Sequence, residues 1–335
     1  MTIYLLNSSL LLMVIGLAAC QESDPPQRDK FDQQLAAKLP ATDYETRQKV
    51  RALLRNALAN QAFIEGGTFT MGDFGAVNED GAWLPYFPAA AQEEKAHPVT
   101  LSTYSLSKYK TTWEDYDTFL LATGRSIIKR AANLGGDYIY EERERQPYEQ
   151  DPEVGYYIKN PARDRWQDAK DYCLWLGQMT GLPFDLPTDA QFEYAARNRG
   201  ENWLFATHDG NPIDDSSHPY VDRVYKNGPF GPVGTRLPAN PLGLYDMGEN
   251  ASEWVNDWFS PTYYSENPEI TDPEGPSNGT EKVIRALGVG SLAFSFTRSK
   301  EPEVRQGGNF DGHVVTNAFR CAVNSPKPVT LKIPE

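Results

Sequence analysis

The feature that most constrains the fold of this chain is the spacing of its turn-forming residues. From residue 183 onward, glycine, proline and asparagine interrupt the sequence every few positions, as in RLPANPLGLYDMGEN over residues 236–250. Glycine favours left-handed turns and proline removes a backbone donor, so neither extends a long helix or a central strand. Because the chain has 26 glycines and 25 prolines in 335 residues, we predict short elements joined by many irregular connections.

The charge balance excludes two classes of partner. The chain has 32 Lys and Arg against 46 Asp and Glu, which gives a net charge of −14. Nucleic acid needs a basic surface for its phosphates, and broad attachment to anionic lipid needs basic clusters. We therefore expect an acidic body with no nucleic-acid partner. Its hydrophobic content of 40% is enough for one large core, or two.

The N-terminus carries a candidate export signal. Residues 5–20, LLNSSLLLMVIGLAAC, form an apolar run that is too short to span a bilayer. Its end, LAAC, resembles the lipobox of bacterial lipoproteins, which implies cleavage before Cys20 and lipidation of its thiol. Gln21 stands where a retention Asp would be, so we expect the periplasmic side of the outer membrane. An ordinary signal peptide or a buried helix is the alternative, since residues 1–4 contain no Lys or Arg.

A helix is predicted over residues 42–61. Thr42 and Glu45 have the spacing of a capping box. The residues that follow at helical spacing form one apolar face: Val50, Leu53, Leu54, Ala57 and Leu58.

Further elements follow from the local patterns. Residues 62–75, AFIEGGTFTMGDFG, alternate and turn in a way typical of a short hairpin. Helices are predicted over 111–123 and 165–181, the second ended by Gly181. Residues 126–160 contain a mixed-charge run that is typical of a solvated insertion.

Two cysteines remain besides the one in the export signal. They are Cys173 and Cys321. Export would place them in an oxidising compartment, where a long-range disulfide can form. Two buried free thiols are the alternative.

Five sequence blocks occur in an order that resembles one known family. In chain order they are FIEGGTFTMG, HPVTLSTYSLSKYKTTWEDYDTFL, DAKDYCLWLGQMTGLPFDLPTDAQFEYAARNRG, PVGTRLPANPLGLYDMGENASEWVNDWF and NAFRCAVN. The series resembles the formylglycine-generating enzymes, or sulfatase-modifying factors. The resemblance implies an α+β class and an irregular fold related to C-type lectins, with two main helices and a small twisted sheet. It also implies that Cys173 pairs with Cys321 and that residues 186–197 are scaffold.

The chain is thus divided into five predicted segments. In order they are a lipoprotein signal peptide over 1–19, a polar tether over 20–41, an N-terminal helix over 42–61, a sulfatase-modifying-factor-like domain over 62–325 and a tail over 326–335.

The fourth block resembles the calcium loop of the family. Residues 245–254, YDMGENASEW, match the family pattern YDMxGNVWEW. Calcium takes about six to eight oxygen ligands from carboxylates and carbonyls, and the positions implied are Asp246, Glu249, Ala251 and Glu253. The middle two would act through backbone carbonyls. Glu249 and Ser252 replace family residues, so an acidic turn without an ion is the alternative.

The catalytic cysteines of the family are missing from this sequence. Those enzymes hold copper with two thiolates, in a pattern like RVxRGGSxxxC with a second Cys five residues on. The resemblance aligns that pattern with residues 282–291, and Ser291 and Phe296 occupy the two thiolate positions. Soft thiolates select Cu(I), so we expect both positions to be vestigial, with no copper and no formylglycine synthesis.

Other enzymatic chemistry has little support in the sequence. Related sulfoxide synthases use iron held by three histidines. The histidines of this chain are widely spaced: His97, His208, His218 and His313. We interpret His97 and His208 as surface residues. A Ser291 nucleophile lacks a partner base, because no triad signature is present.

A binding function is the remaining interpretation. The fold without its cysteines occurs in bacterial envelope proteins as an interaction module, for example in type VI secretion accessory proteins. Arginines and aromatic residues are common binding anchors, and the candidate cleft comprises Arg285, Ser291, Phe296, Arg298, Trp203, Phe205 and His313. We predict a catalytically inactive lipoprotein that binds an envelope protein or peptide and touches the membrane only through its lipid. A metal-dependent oxidoreductase with a non-standard site is the alternative.

Overall fold

The computed structural model describes most of the predicted domain and the segment just before it. The described residues are 29–88, 95–125, 133–134, 137–138, 158–213, 220, 230–267, 270–288, 292–300, 317–330 and 333. For 133–134, 137–138 and 299–300 only the backbone is described. Cys20, Ser291, His218, His313 and most of the insertion predicted over 126–160 lie outside the described residues.

Short elements make up the described part of the chain. The helices are α1 (Lys30–Lys38), α2 (Tyr44–Ala59), α3 (Trp113–Ala122), α4 (Trp166–Thr180), α5 (Asp189–Ala196) and α6 (Tyr263–Glu266). The strands are β1 (Gln61–Ile64), β2 (Gly67–Met71), β3 (Ala76–Val77), β4 (Trp83–Leu84), β5 (His97–Leu101), β6 (Tyr104–Ser107), β7 (Asn133–Leu134), β8 (Asp137–Tyr138), β9 (Phe184–Asp185), β10 (Glu253–Trp258), β11 (Ile270–Thr271), β12 (Glu281–Arg285), β13 (Thr297–Lys300) and β14 (Ala322–Val323). Within the described ranges, no helix has both the length and the apolar character needed to cross a membrane.

Helix α1 replaces part of the predicted tether. The side chain of Asp29 caps it by accepting a hydrogen bond from the Asp32 amide at 2.7 Å. Leu35 is buried in one cluster with the apolar face of α2, and buried Asp32 pairs with Arg47 of α2 at 3.3 Å. The tether prediction is therefore wrong over Lys30–Lys38, because apolar burial and a buried ion pair hold this polar segment on α2.

The N-cap of helix α2 lies one residue after the predicted cap. Asp43 is the N-cap, and its side chain accepts from the Thr46 amide at 2.7 Å. Thr42 instead donates its hydroxyl to the Leu39 carbonyl at 2.8 Å, so the predicted capping box with Glu45 is wrong. The apolar face is confirmed by four buried residues: Val50, Leu53, Leu54 and Leu58.

The next helices follow their local signals. Helices α3 and α4 lie where the sequence predicts them. Helix α4 ends at Gly181, which has φ +75° and donates its amide to the Gly177 carbonyl at 2.8 Å. A capping box between Thr188 and Gln191 starts α5.

The strands form small separate sheets. In order of pairing these are β1-β6-β14-β9, β10-β12-β13, β11-β5-β2, β3-β4 and β7-β8. The hairpin predicted over 62–75 is wrong, because β1 pairs with β6 and β2 pairs with β5. Between β1 and β2, Gly66 passes so close to the Leu101 carbonyl that a Cβ would lie 2.1 Å from its oxygen. The chain can therefore cross from one sheet to the other only with glycine at this point.

A disulfide joins the helical layer to the last strand region. Cys173 of α4 is bonded to Cys321, 148 residues further along, and both residues are buried. The predicted pairing is confirmed and the free-thiol alternative is wrong. The bond lies in the cluster formed by α1 to α4, whereas the β2, β5 and β12 side chains form a second cluster.

Candidate binding cleft

We call residues 283–298 the vestigial segment, after the prediction that its two thiolate positions are vestigial. Its described residues lie between a sheet and a loop. Residues 283–285 belong to β12, which pairs with β10 and β13. Further along, the Ala293 amide donates to the Leu204 carbonyl at 2.7 Å, and Phe205 forms a β-bridge with Leu292. The structure thus brings the 203–205 loop alongside this segment, with Phe294 buried and Phe296 partly buried.

A cavity of about 40 Å³ lies beneath the vestigial segment. Its walls are Met71, Gly72, His97, Asp189, Glu193, Asp257, Trp258, Phe259, Ser260, Tyr263, Tyr264, Gly275, Val283, Arg285, Phe294 and Phe296. Two predicted cleft residues, Arg285 and Phe296, are therefore brought together. Within the part of the chain that the structure describes, Trp203, Phe205 and Arg298 are not part of these walls.

Arg285 is held inside the protein. Its side chain is 1% exposed. Its Nε donates to Asp189 Oδ1 at 2.5 Å, its Nη2 to Glu193 Oε2 at 3.1 Å and its Nη1 to the Phe294 carbonyl at 2.5 Å. Arg285 therefore lines the cavity with its charge already paired, and it positions the vestigial segment on α5.

Glu193 extends this network to the neighbouring sheet. Its Oε1 accepts from the Gly72 amide at 2.8 Å and from Arg197 Nη1 at 2.7 Å. Arg197 in turn lies 4.6 Å from the centre of the Phe74 ring. The α5 residues predicted to be scaffold thus also form one wall of the cavity.

Arg298 lies on β13, at the edge of the sheet. Its guanidinium stacks over the Phe259 ring at 4.1 Å, and its Nε lies 3.4 Å from Glu281 Oε2. Its side chain is 36% exposed, so it remains accessible beside the cavity. The sheet position explains why it lies apart from the buried Arg285.

Three wall residues outside the predicted cleft carry buried polar atoms without a hydrogen-bond partner among the described residues. These atoms are Asp257 Oδ1, Tyr264 Oη and His97 Nε2. His97 stacks on Tyr264 with ring centres 4.3 Å apart, and its Nδ1 lies 2.8 Å from the Lys95 carbonyl. His97 is therefore half-buried: its ring lies partly at the surface, as predicted, and its Nε2 is turned inward.

Asp257 is buried with another acid beside it. It is 2% exposed, and its Oδ2 accepts from the Asp189 amide at 2.8 Å. Burial, and then the charge of Asp189, raise the pKa of Asp257. The sequence held one signal: Asp257 lies two residues after buried Val255 on β10, so alternation points it into the core.

The predicted calcium loop is only partly able to hold a cation. Both carboxylate oxygens of Glu253 bind Arg320, and one also binds Lys110. As a calcium ligand Glu253 is therefore wrong, because its lone pairs are committed to two buried cations. The described residues contain no group of three or more His, Cys, Asp or Glu that could hold a metal ion.

Asp246 and Glu249 are less committed than Glu253, although Arg236 Nη1 lies 3.8 Å from Glu249 Oε2. Asp246 Oδ1 and both carboxylate oxygens of Glu249 are buried without a hydrogen-bond partner among the described residues. Burial, and then the charge of Asp246, raise the pKa of Glu249 to about 8. Asn250 and Ala251 have φ of +58° and +83°, so the loop bends sharply around these carboxyls. This pair of carboxyls has the chemistry that a hard cation such as calcium prefers.

An exposed apolar surface lies next to the cleft. We call residues 76–87, which contain β3 and β4, the apolar hairpin. Its exposed side chains are Val77 (68%), Trp83 (47%), Leu84 (51%), Tyr86 (40%) and Phe87 (42%). Buried Asp73 anchors it by accepting from the Tyr86 and Phe87 amides at 3.1 and 2.8 Å. The Phe74 ring contacts Tyr86 on one side and Phe294 of the vestigial segment on the other, at 5.4 and 5.8 Å.

Comparison with known proteins decides the family. Residues 46–330 match the family described as "Sulfatase-modifying factor enzyme 1-like domain". The chain belongs to this family. It is similar to the formylglycine-generating enzyme of Mus musculus, at 25% identity over 306 residues, covering 80% of this chain and 76% of the enzyme. The enzyme of Streptomyces coelicolor is 28% identical over 301 residues, covering 78% and 88%.

Two further similarities extend the sulfatase-modifying-factor comparison. The serine/threonine-protein kinase Pkn1 of Chlamydia trachomatis is 28% identical over 240 residues, which cover 68% of this chain and 33% of the kinase. The structure of PvdO from Pseudomonas aeruginosa has a TM-score of 0.54 and 22% identity, covering 79% of this chain and 94% of PvdO. At that identity it shows the fold alone. The predicted fold class and family resemblance are confirmed.

Proposed function

We propose that this protein is a catalytically inactive sulfatase-modifying-factor-like protein that binds a protein or peptide of the bacterial cell envelope. Lipidated Cys20 would anchor it on the periplasmic side of the outer membrane. The observation that carries the proposal is the use of its cysteines. The chain has three, and two of them, Cys173 and Cys321, are bonded to each other. No pair of thiolates remains to hold Cu(I) as the resembling enzymes do.

The cleft supports a binding role in place of the lost chemistry. Phe296, at the second thiolate position, contacts Phe259 with ring centres 5.7 Å apart. The apolar hairpin continues this aromatic surface through Phe74. Exposed apolar patches beside a cleft are typical of interaction sites, and aromatic residues dominate the binding energy of many interfaces.

The similarity to Pkn1 also supports a binding role. The aligned region is only a third of a protein that is named a kinase. A domain of this family is therefore used as one part of a protein with a different activity, which fits a role in recognition.

We also propose a structural calcium ion at the loop over residues 245–254. The carboxyls of Asp246 and Glu249 would supply ligands, and the carbonyl of Ala251 would add one. A bound calcium ion would keep Glu249 ionised and fix the bend of the loop. Glu253 has no part in this site.

Capture of a partner from envelope extract tests the binding function. The mature lipoprotein is compared with Phe296→Ala, and Phe63→Ala serves as the matched control, since Phe63 is an exposed aromatic on β1. We expect a defined envelope protein or peptide to bind wild type and the control, and to bind Phe296→Ala at least about tenfold more weakly. Equal capture by the three folded proteins would contradict the role of the cleft.

Metal analysis of the purified protein separates binding from redox catalysis. Stoichiometric copper or iron, with oxidation of a cysteine-containing peptide, would overturn the inactive assignment. The anchor is tested by acyl-chain labelling and outer-membrane fractionation of wild type and Cys20→Ser. We expect label and membrane association only for wild type, and label on the variant would exclude Cys20 as the acceptor.

A further inference from the structure

The cavity beneath the vestigial segment has a chemistry of its own. Three of its wall residues, Asp257, Tyr264 and His97, come from three different elements, and each carries one buried polar atom without a hydrogen-bond partner among the described residues. Leaving such an atom unpaired is costly inside a protein. Three in one cavity indicate that a polar ligand group completes them.

The hydrogen bond made by His97 Nδ1 determines whether His97 Nε2 can donate or accept. A carbonyl oxygen can only accept, so the 2.8 Å contact between His97 Nδ1 and the Lys95 carbonyl places the ring proton on Nδ1. In that tautomer Nε2 is an acceptor. The carboxylate oxygen of Asp257 and the hydroxyl oxygen of Tyr264 can accept as well, so the cavity presents three acceptors.

Asp257 is the wall acid best placed to bind a donor with positive charge. The wall acids are Asp189, Glu193 and Asp257, and Arg285 is the cation among the wall residues. Arg197 also binds Glu193, and buried Lys282 lies close enough to lower the pKa of Asp257, although its Nζ donates to the Asn256 carbonyl. Arg285 is already bonded to Asp189 and Glu193. Asp257 is 2% exposed. Among the described residues, no cation forms a hydrogen bond with its Oδ1.

Shape and aromatic content narrow the ligand group further. A volume of about 40 Å³ has room for a small polar head group. Aromatic rings make up much of the wall: Trp258, Phe259, Tyr263, Tyr264, Phe294 and Phe296. Aromatic faces attract ammonium groups. A primary ammonium has three N–H donors, which equals the number of unpaired acceptors.

We propose that this cavity is a recognition site for a primary ammonium group, of the kind carried by a lysine side chain or a small alkylamine. The inference rests on the proposed function only in assigning that ammonium to the envelope partner. Asp257, which is ionised when the ammonium is bound, neutralises the charge, Tyr264 and His97 accept the remaining hydrogens, and the aromatic walls exclude water.

Titration calorimetry with small probes tests the site without the partner. The probes are n-butylammonium, n-butanol of the same shape without charge, and butyltrimethylammonium with charge but no N–H donor. We expect saturable binding of n-butylammonium alone to the mature wild-type protein. No binding of n-butylammonium, or equal binding of n-butanol, would overturn the proposal.

Two variants locate the binding in the cavity. Asp257→Asn keeps an acceptor for the Asp189 amide but removes the charge, and we expect at least about tenfold weaker binding of n-butylammonium. Tyr264→Phe removes one hydroxyl and weakens binding severalfold, which preserves the test if Asp257→Asn does not fold. Glu266→Gln, an exposed acid on the same short helix as Tyr264, leaves binding unchanged. Unchanged binding in both Asp257→Asn and Tyr264→Phe would place the amine elsewhere.

The two experiments distinguish failure of the ammonium site from failure of the proposed envelope-binding function. Loss of amine binding with partner capture intact rejects only the ammonium site. Amine binding with no partner captured by wild type rejects the envelope-binding function and leaves the site in place.

Discussion

Arg320 binds both carboxylate oxygens of Glu253: its Nε donates to Oε2 at 2.8 Å and its Nη2 to Oε1 at 2.9 Å. Both side chains are fully buried, and Lys110 Nζ donates to Oε1 from the other side. Burial raises the pKa of Glu253, but Arg320 and Lys110 lower it more, so that the net shift is downward. This cluster joins the chain before α3 to β10 and to the segment before β14.

Replacing Glu253 should remove a large part of the free energy of unfolding of the domain. Glu253→Ala leaves two buried cations without their counter-charge, and such changes typically cost about 3–5 kcal/mol. Urea unfolding followed by tryptophan fluorescence measures the free energy of unfolding. The control is Glu45→Ala, whose partner Lys49 lies on an exposed helix face, and about 0.5 kcal/mol or less is expected there. Equal effects would mean that the buried cluster is not a stability element.

The disulfide should be a second large contribution. Closing a loop of 148 residues is worth about 5 kcal/mol in the chain-entropy model. Cys173→Ser with Cys321→Ser should therefore unfold at much lower urea than wild type. Reductant should lower the midpoint of wild type and leave the double variant unchanged. An effect of reductant on both proteins would show that it acts on something other than this bond.

Local signals allowed correct predictions where the cause lies within a few residues. The end of α4 followed from Gly181, and the buried face of α2 followed from its spacing of leucines. The strand partners of β1 and β2 could not be predicted in this way. β1 pairs with β6 and β2 pairs with β5 through sheet contacts that a short turn pattern does not contain.

The residues of the candidate cleft and of the calcium loop were harder to predict, because their contacts also join residues that are distant in sequence. Glu253 fits a calcium motif by position, but its actual partners lie 143 and 67 residues away. Arg285 and Phe296 were found because the family's copper pattern aligns with them: Arg285 precedes the thiolate positions and Phe296 occupies the second. Asp257 and Tyr264 were missed, since no motif marks an unpaired acceptor and only the folded structure brings them together.

Calcium should stabilise the protein through Asp246 and Glu249. A ligand at a hundred times its dissociation constant adds about 2.7 kcal/mol to the free energy of unfolding. We therefore expect added calcium to raise the melting temperature of chelator-treated wild type and EGTA to reverse the effect. Glu249→Gln should lose most of this response. No response in wild type would favour the acidic turn without an ion.

The apolar hairpin should matter for binding and little for folding. Val77 and Leu84 are 68% and 51% exposed, so Val77→Ser with Leu84→Ser should change the free energy of unfolding by about 0.5 kcal/mol or less per site. Capture of the envelope partner should fall severalfold. Leu174→Ser, an exposed leucine of α4, is the matched control and should capture normally. A loss of stability without a loss of capture would assign the hairpin to folding alone.

Asp257 should give the stability of the protein a characteristic pH dependence. Burial and the charge of Asp189 raise its pKa above the ordinary 3.8, against the opposing charges of Lys282 and Arg285. The folded protein then retains a proton that the unfolded chain releases, so this contribution is full below pH 3.8 and is lost as pH rises through the folded pKa.

An asparagine side chain in place of Asp257 does not titrate. The free energy of unfolding of Asp257→Asn, relative to wild type, should therefore rise as pH is increased from about 4 towards 8. Urea unfolding at a series of pH values measures the difference, and Asp80→Asn, an exposed acid of the apolar hairpin, should show no such trend. A difference that stays constant or falls with pH would mean that Asp257 is ionised in the folded protein, with a cation already beside it.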